Sequence, residues 1–396
     1  MKIATAWTTE DGSDAVKKAY KDLLTQLGAP PSYLVVSFSV NYDSETILQA
    51  VHALSPGIPV QGASSCSGAM TQAGFHSQEG RGLSFFGVLD PEGRYGVGAS
   101  VMGDDPEKAA RAAMTQALAQ ANCAGEVPAM VWLTAAPGSE ECVMKGVMEI
   151  VGEGVPIAGG SAADNTVTGA WKQLADKEVY DNAVVVGVLF PSTDVMSAFH
   201  SGYEPSSKTG KVTKVDGRVL AEIDHRPAAE VYNDWTGGLI ADALSRGGSI
   251  LAATSLHPLG RVAGHIGDIP YYQLSHPNTV EADGALTLFT NMNINDEVVL
   301  MQGSEDSLVS RAARVAVSAR ELHGVEARDI AGALIIYCAG CMLTVQDRME
   351  DVVGGLKTAL PDTPFMGSFT FGEQGCFVGG ENRHGNLMIS VMLFGR

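Results

Sequence analysis

The sequence predicts an α/β protein built from a β-α-β-α-β-β unit that occurs three times and folds into two mixed-sheet domains. Three observations carry this. An apolar strand, a helical segment and a Pro-x-x-Gly phrase follow one another in the same order three times, at 34–62, 130–159 and 333–367. Each copy is preceded by a further strand and helix, and each is followed by an apolar exit strand. Internal repetition at this scale is an architectural signal, and strands alternating with helices of this length imply crossover connections.

The first unit spans about 1–90: strand 3–7, helix 13–27, strand 34–40, helix 43–54, Pro59-Val60-Gln61-Gly62, exit strand 82–89. The second spans about 95–190: strand 95–102, helix 106–121, strand 130–133, helix 139–151, Pro156-Ile157-Ala158-Gly159, exit strand 183–190. The third is placed at 297–396, with an entrance strand at 298–302, a helix at 304–322, strand 333–337, Pro364-Phe365-Met366-Gly367 and exit strand 387–394. Residues 191–296 stand outside the repeat and read as an insertion. The division expected is therefore 1–190 for an N-terminal domain of two units and 191–396 for a C-terminal domain of insertion plus third unit.

A chain of 396 residues with 45% hydrophobic content can bury a substantial core. Its net charge of −19 is spread along the chain, which argues against nucleic acid, because a phosphate backbone is gripped by clustered Lys and Arg. No run approaches the roughly 20 apolar residues of a membrane span, and the first residues lack a signal-peptide pattern, so a cytoplasmic location is expected. Six cysteines in a chain this long are expected as free thiols rather than a disulfide framework.

Candidate site residues come from the turns. Ser64-Ser65-Cys66-Ser67-Gly68 sets small hydroxyl residues after a strand, and Gly159-Gly160-Ser161 repeats the arrangement; glycines admit a ligand to the backbone while hydroxyls bond it. Close packing of a tight turn explains the same residues equally well. In the insertion, alternation around Asp216-Gly217 predicts a β-hairpin, and Pro227 opens a helix running to Trp235. His257, His265 and His276 then crowd into about twenty residues, at spacings that match neither a helical metalloprotease pair nor a zinc finger. Trp171 reads as packing. Cys338-Ala339-Gly340-Cys341 lies between a strand and a helix, where a thioredoxin-like dithiol sits; a structural zinc would need a second ligand pair, and packing alone also uses small residues here. The pair is expected to be reduced and dispensable for folding. A thiol-dependent enzyme using Cys66 or Cys338 and Cys341 is the alternative function.

Ile223-Asp224-His225-Arg226-Pro227-Ala228-Ala229-Glu230-Val231-Tyr232, Pro258-Leu259-Gly260 and Gly367-Ser368-Phe369-Thr370-Phe371-Gly372-Glu373 resemble the FIST sensory proteins, with an N-terminal and a C-terminal FIST domain in tandem. The turns at Gly62–Gly68 and Gly159–Ser161 fit the first domain. The resemblance implies a non-enzymatic sensor of a small-molecule or gaseous ligand, touched by Ser64, Ser65, Gly159, Ser161, Thr370 and Glu373. A free-standing subset binds haem and senses nitric oxide, and the family signals through a partner, a sensor histidine kinase or a cyclic-di-nucleotide signalling protein. Two departures stand out: His225 where the family has Gly, and Cys341 where it often has Arg. If haem is bound, the iron ligand is sought among His225, His257, His265 and His276, with His225 ahead because it departs from the pattern.

Overall fold

The computed structural model describes residues 1–396 except the side chains of Ile266 and Ile269. Each unit forms a four-stranded mixed sheet of one pattern. In the first, Leu83–Leu89 lies between Lys2–Thr8 and Tyr33–Phe38, antiparallel to both, and Val60–Ser64 runs parallel to Tyr33–Phe38. In the second, Ala183–Phe190 lies between Arg94–Val101 and Met130–Ala135, with Ile157–Ser161 parallel beyond. In the third, Ile389–Gly395 lies between Val195–His200 and Ile330–Cys338, with Phe365–Thr370 parallel beyond.

That third entrance strand corrects the sequence reading. The run at 298–302 is a strand, Glu297–Gln302, but it pairs with Glu204–Asp216 and Leu259–Ile266 in a separate sheet. The true entrance strand, Val195–His200, is separated from its helix Glu305–Leu322 by the whole inserted sheet. Glu297–Gln302 imitates it because it is apolar and leads straight into that helix; only the pairing partner tells the two apart. The expected hairpin at Asp216-Gly217 forms, joining Glu204–Asp216 to Val219–Ile223.

A second feature escapes the sequence. Between third strand and exit strand, each unit throws out a short hairpin that completes another unit's sheet. Ala69–Thr71 with Gly74–His76 extends the third unit, Gln173–Ala175 with Glu178–Tyr180 the first, and Glu373–Cys376 with Asn382–Gly385 the second. The exchange is cyclic and gives three six-stranded sheets. The repeated glycine lies inside a strand, at the seam with the incoming hairpin, rather than in a turn. Gly62, Gly159 and Gly367 stand opposite Leu174, Gln374 and Met70 of the incoming hairpins. A Cβ at Gly62 would sit 2.9 Å from the Val36 carbonyl oxygen and 3.2 Å from Leu174.

Strand residues alternate between two cores. Leu34, Val36 and Phe38 face their own helices, whereas Tyr33 and Val35 join a core shared by all three units with Trp132, Ile336, Met366 and Phe394. Burial on both faces is why the strands read as continuous apolar runs. The inserted sheet has its own core around Val212, Leu220, Tyr232, Leu286 and Leu300. Among the described residues no helix is long and apolar enough to cross a membrane.

Candidate ligand cavity

The carboxyl ends of two parallel strands, Ile330–Cys338 and Phe365–Thr370, open beneath the inserted sheet, the usual place for a ligand crevice in an α/β fold. A cavity of about 620 Å³ lies there. The repeat units contribute Cys338, Gly340, Thr370, Phe371, Asn386 and, from the second unit, Glu140 and Trp171; the insertion contributes Arg218, Leu251, His276 and Phe289. Trp171, expected as packing, stands at this wall edge-on to Phe371, with ring centroids 6.2 Å apart.

Two wall residues carry buried polar atoms without a partner among the described residues: His276 Nε2 and Asn386 Nδ2. The two side chains belong to one arrangement, because the His276 backbone N–H donates to Asn386 Oδ1 at 3.2 Å. Burial pushes the His276 imidazole down to about 4, against a backbone hydrogen bond at Leu251, so the ring is neutral at ordinary pH. A buried orphan polar atom costs about 1–3 kcal/mol, and such atoms normally have a partner.

Arg218 ties the insertion to the second unit. Its Nη2 donates to Glu140 Oε2 at 2.7 Å and to Glu141 Oε2 at 2.6 Å. Glu140 also accepts from Ser161 Oγ at 2.8 Å and from the Gly138 N–H at 3.1 Å. Burial alone would raise the Glu140 carboxyl; His384 and Arg218 outweigh it and hold it at about 2, below its ordinary 4.5. A carboxylate depressed on folding stabilises the fold fully above its unfolded value, and that contribution is lost as pH falls through the folded one. Thermal melts should therefore show a loss between about pH 4.5 and about pH 2, and Glu140→Gln should flatten that part of the profile.

The sequence-derived candidates separate clearly. His276 lines the cavity. His225 and His265 are exposed, and His257 is half-buried outside the cavity lining. Asp224 and His225 both have positive φ, 51° and 63°, so a glycine at 225 suits the turn for backbone reasons alone. Thr370 is at the wall and donates to Glu373 Oε1 at 3.0 Å; Glu373 is fully buried, and burial pushes its carboxyl well up. Ser64 Oγ accepts from the Lys172 N–H at 2.8 Å, and Ser65 Oγ donates to the Gly68 carbonyl at 2.6 Å, so both hold structure together. Gly159 faces the borrowed hairpin and Ser161 faces Glu140. Burial raises the Cys66 thiol to about 11, which does not suit a nucleophile. No group of three or more metal-ligating side chains stands together among the described residues, so Cys338 and Cys341 lack the second pair a zinc would need. Sequence reasoning missed Arg218, Glu140, Asn386 and Phe289; the Glu140-Glu141 pair in a helix's first turn was the one local signal available.

The FIST N domain model matches residues 32–226 and the FIST C domain model matches residues 228–376. The chain belongs to the FIST family. FIST domains are small-ligand sensory and signal-transduction domains, and the cavity draws on both matched segments. An uncharacterized protein of Methanocaldococcus jannaschii is 35% identical over 78 residues, 20% of this chain and 15% of the relative's own length. Cyanuric acid hydrolase from A. caulinodans aligns over 100% of this chain and 99% of its own at 8% identity and a TM-score of 0.41. A PurLQS structure from Thermotoga maritima aligns over 100% of this chain and 72% of its own at 10% identity and a TM-score of 0.21. Similarities this low carry no argument about what this FIST protein does.

Proposed function

We propose that this FIST protein is a receptor, not a catalyst, that holds a small ligand in the cavity between the third unit's strand ends and the inserted sheet. The observation that carries the reading is the pair of unpartnered buried atoms, His276 Nε2 and Asn386 Nδ2, on an otherwise largely apolar wall. A ligand that fills the cavity and draws these two side chains toward it would satisfy both. It would also touch the insertion and the repeat units together, so binding would be felt where the two meet.

Haem is the specific ligand we propose. An iron-binding imidazole must be neutral with a free nitrogen in an apolar surround, and His276 meets all three requirements. Phe289, Phe371, Leu251 and Leu343 supply apolar walls. Bound haem supplies an iron that takes up a diatomic gas such as nitric oxide. The output then passes to a partner, a sensor histidine kinase or a cyclic-di-nucleotide signalling protein.

Haemin titration of the full chain, followed by absorbance, tests this. A Soret band is expected that His276→Ala shifts or abolishes, while His225→Ala, His257→Ala and His265→Ala leave it in place. Changing an outer-shell partner of a ligand already weakens metal binding by about 10–100-fold, so loss of the ligand itself should cost at least that. A Soret band unmoved by His276→Ala would overturn the assignment of the ligand, and no band at all would remove haem as the ligand.

A further inference from the structure

The third unit buries a complete guanidinium. Arg311, on the helix Glu305–Leu322, is 1% exposed, and its Nη1 donates to the carbonyls of Ser201 at 3.0 Å and Leu387 at 2.7 Å. Its Nε and Nη2 have no acceptor among the described residues, and no carboxylate forms an ion pair with it there. The guanidinium carbon lies 4.8 Å from the centre of the Tyr337 ring and 5.8 Å from that of Tyr203. A charge buried this deeply needs a counter-charge. The Cys341 sulfur, whose thiol Arg311 helps to lower, is suited to that role, and it lies 3.5 Å from the Tyr203 hydroxyl.

Cys338 and Cys341 occupy different surroundings. Cys338 ends the strand and caps the short helix Ala339–Thr344, and it reaches the cavity wall. Cys341 is the third residue of that helix and is fully buried. A cap residue and the third helical residue face each other across one turn, close enough for their sulfurs to join. The neighbouring Cys341 and burial together push the Cys338 thiol well above its ordinary range. Burial pushes the Cys341 thiol up, but the Cys338 hydrogen bond and Arg311 outweigh it and bring it to about 6.

We propose that Cys338 and Cys341 form a reversible dithiol–disulfide couple, oxidised by a small peroxide that enters through the ligand cavity and meets Cys338 first. Burial and Cys341 keep Cys338 as the protonated thiol, so Cys341, the thiolate of the pair, takes up the Cys338 proton as the Cys338 sulfur attacks one peroxide oxygen. The O–O bond breaks, Cys338 becomes a sulfenic acid, and hydroxide leaves to become water on taking a proton. Cys341, its negative charge supported by Arg311 once the proton is released, then attacks the Cys338 sulfur. The S–S bond forms as the S–OH bond breaks, and a second water results. Two thiols lose two electrons and peroxide gains them. The couple does not depend on haem or on the identity of any ligand.

Both cysteines fall on one tryptic peptide, residues 329–348. Reduced full-length protein, treated while folded with hydrogen peroxide and then alkylated, should yield that peptide lighter by two hydrogens and unalkylated, and dithiothreitol should reverse the change. Cys341→Ser, its fold checked by circular dichroism, removes both the base and the resolving thiol, so it should form no disulfide and should oxidise Cys338 more slowly, to a sulfenic acid that dimedone traps. Arg311→Met should slow closure about tenfold while Arg311→Lys retains it, if the thiolate is what Arg311 supports. An intact dithiol under peroxide that oxidises the exposed Cys142 would overturn the proposal, as would a disulfide that forms only after denaturation.

Discussion

Replacing Arg218 by leucine is expected to destabilise the protein by about 3–5 kcal/mol, the cost of stranding one member of a buried ion pair. Glu140 is 2% exposed, and without Arg218 its charge keeps Ser161, the Gly138 N–H and His384 but loses its guanidinium. The lower end of that range is the better expectation, because the Arg218 side chain is itself 19% exposed. Urea unfolding should register the loss, and Glu140→Gln in the same background should restore part of it by removing the stranded charge. If the double variant is no more stable than Arg218→Leu alone, the pair does not hold the insertion to the second unit in the way described.

Gly159→Ala is expected to cost about 3 kcal/mol, the upper part of the range for overpacking. Its new Cβ would be driven into the Leu133 carbonyl oxygen of the adjoining parallel strand, and backbone cannot step aside as a side-chain tip can. Gly354 is the control. It sits within the helix Met349–Ala359 with nothing within 4 Å of an added Cβ, so alanine there should gain about 0.5–1 kcal/mol. Opposite signs in denaturant midpoints at the two sites would support close backbone approach from the parallel neighbour strand as the reason for glycine at 159; equal small effects would remove it.

The α/β repeat is legible in the sequence because each unit's strands are buried on both faces, as Leu34 and Val35 are on opposite sides of one strand. The hairpin exchange is not legible. Ala69–Thr71 is three residues long, and its partner Phe365–Thr370 is nearly three hundred residues away. The third entrance strand was misplaced because Glu297–Gln302 and Val195–His200 are both short apolar runs, and pairing, not composition, decides between them. At the cavity, His276, Thr370 and Cys338 were legible as residue types suited to binding. Arg218 and Asn386 were not, since Arg218 gains meaning only when its hairpin folds against Glu140, and Asn386 only when it meets His276.

The family resemblance and the fold give opposite weight to the two leading histidines. His225 departs from the family pattern, yet it is exposed on a turn whose positive φ explains the family's glycine. His276 carries no such signal and is the one that burial makes neutral and leaves unpartnered at Nε2.

The most direct measurement of the account is nuclear magnetic resonance of isotope-labelled histidine ring nitrogens in the full chain, before and after loading with reduced, carbon monoxide-ligated haem. The account predicts that the His276 Nε2 resonance leaves its neutral, unprotonated position on loading while those of His225 and His265 stay. A His276 resonance that does not move in protein carrying a Soret band, or protein that takes up no haem, would contradict it.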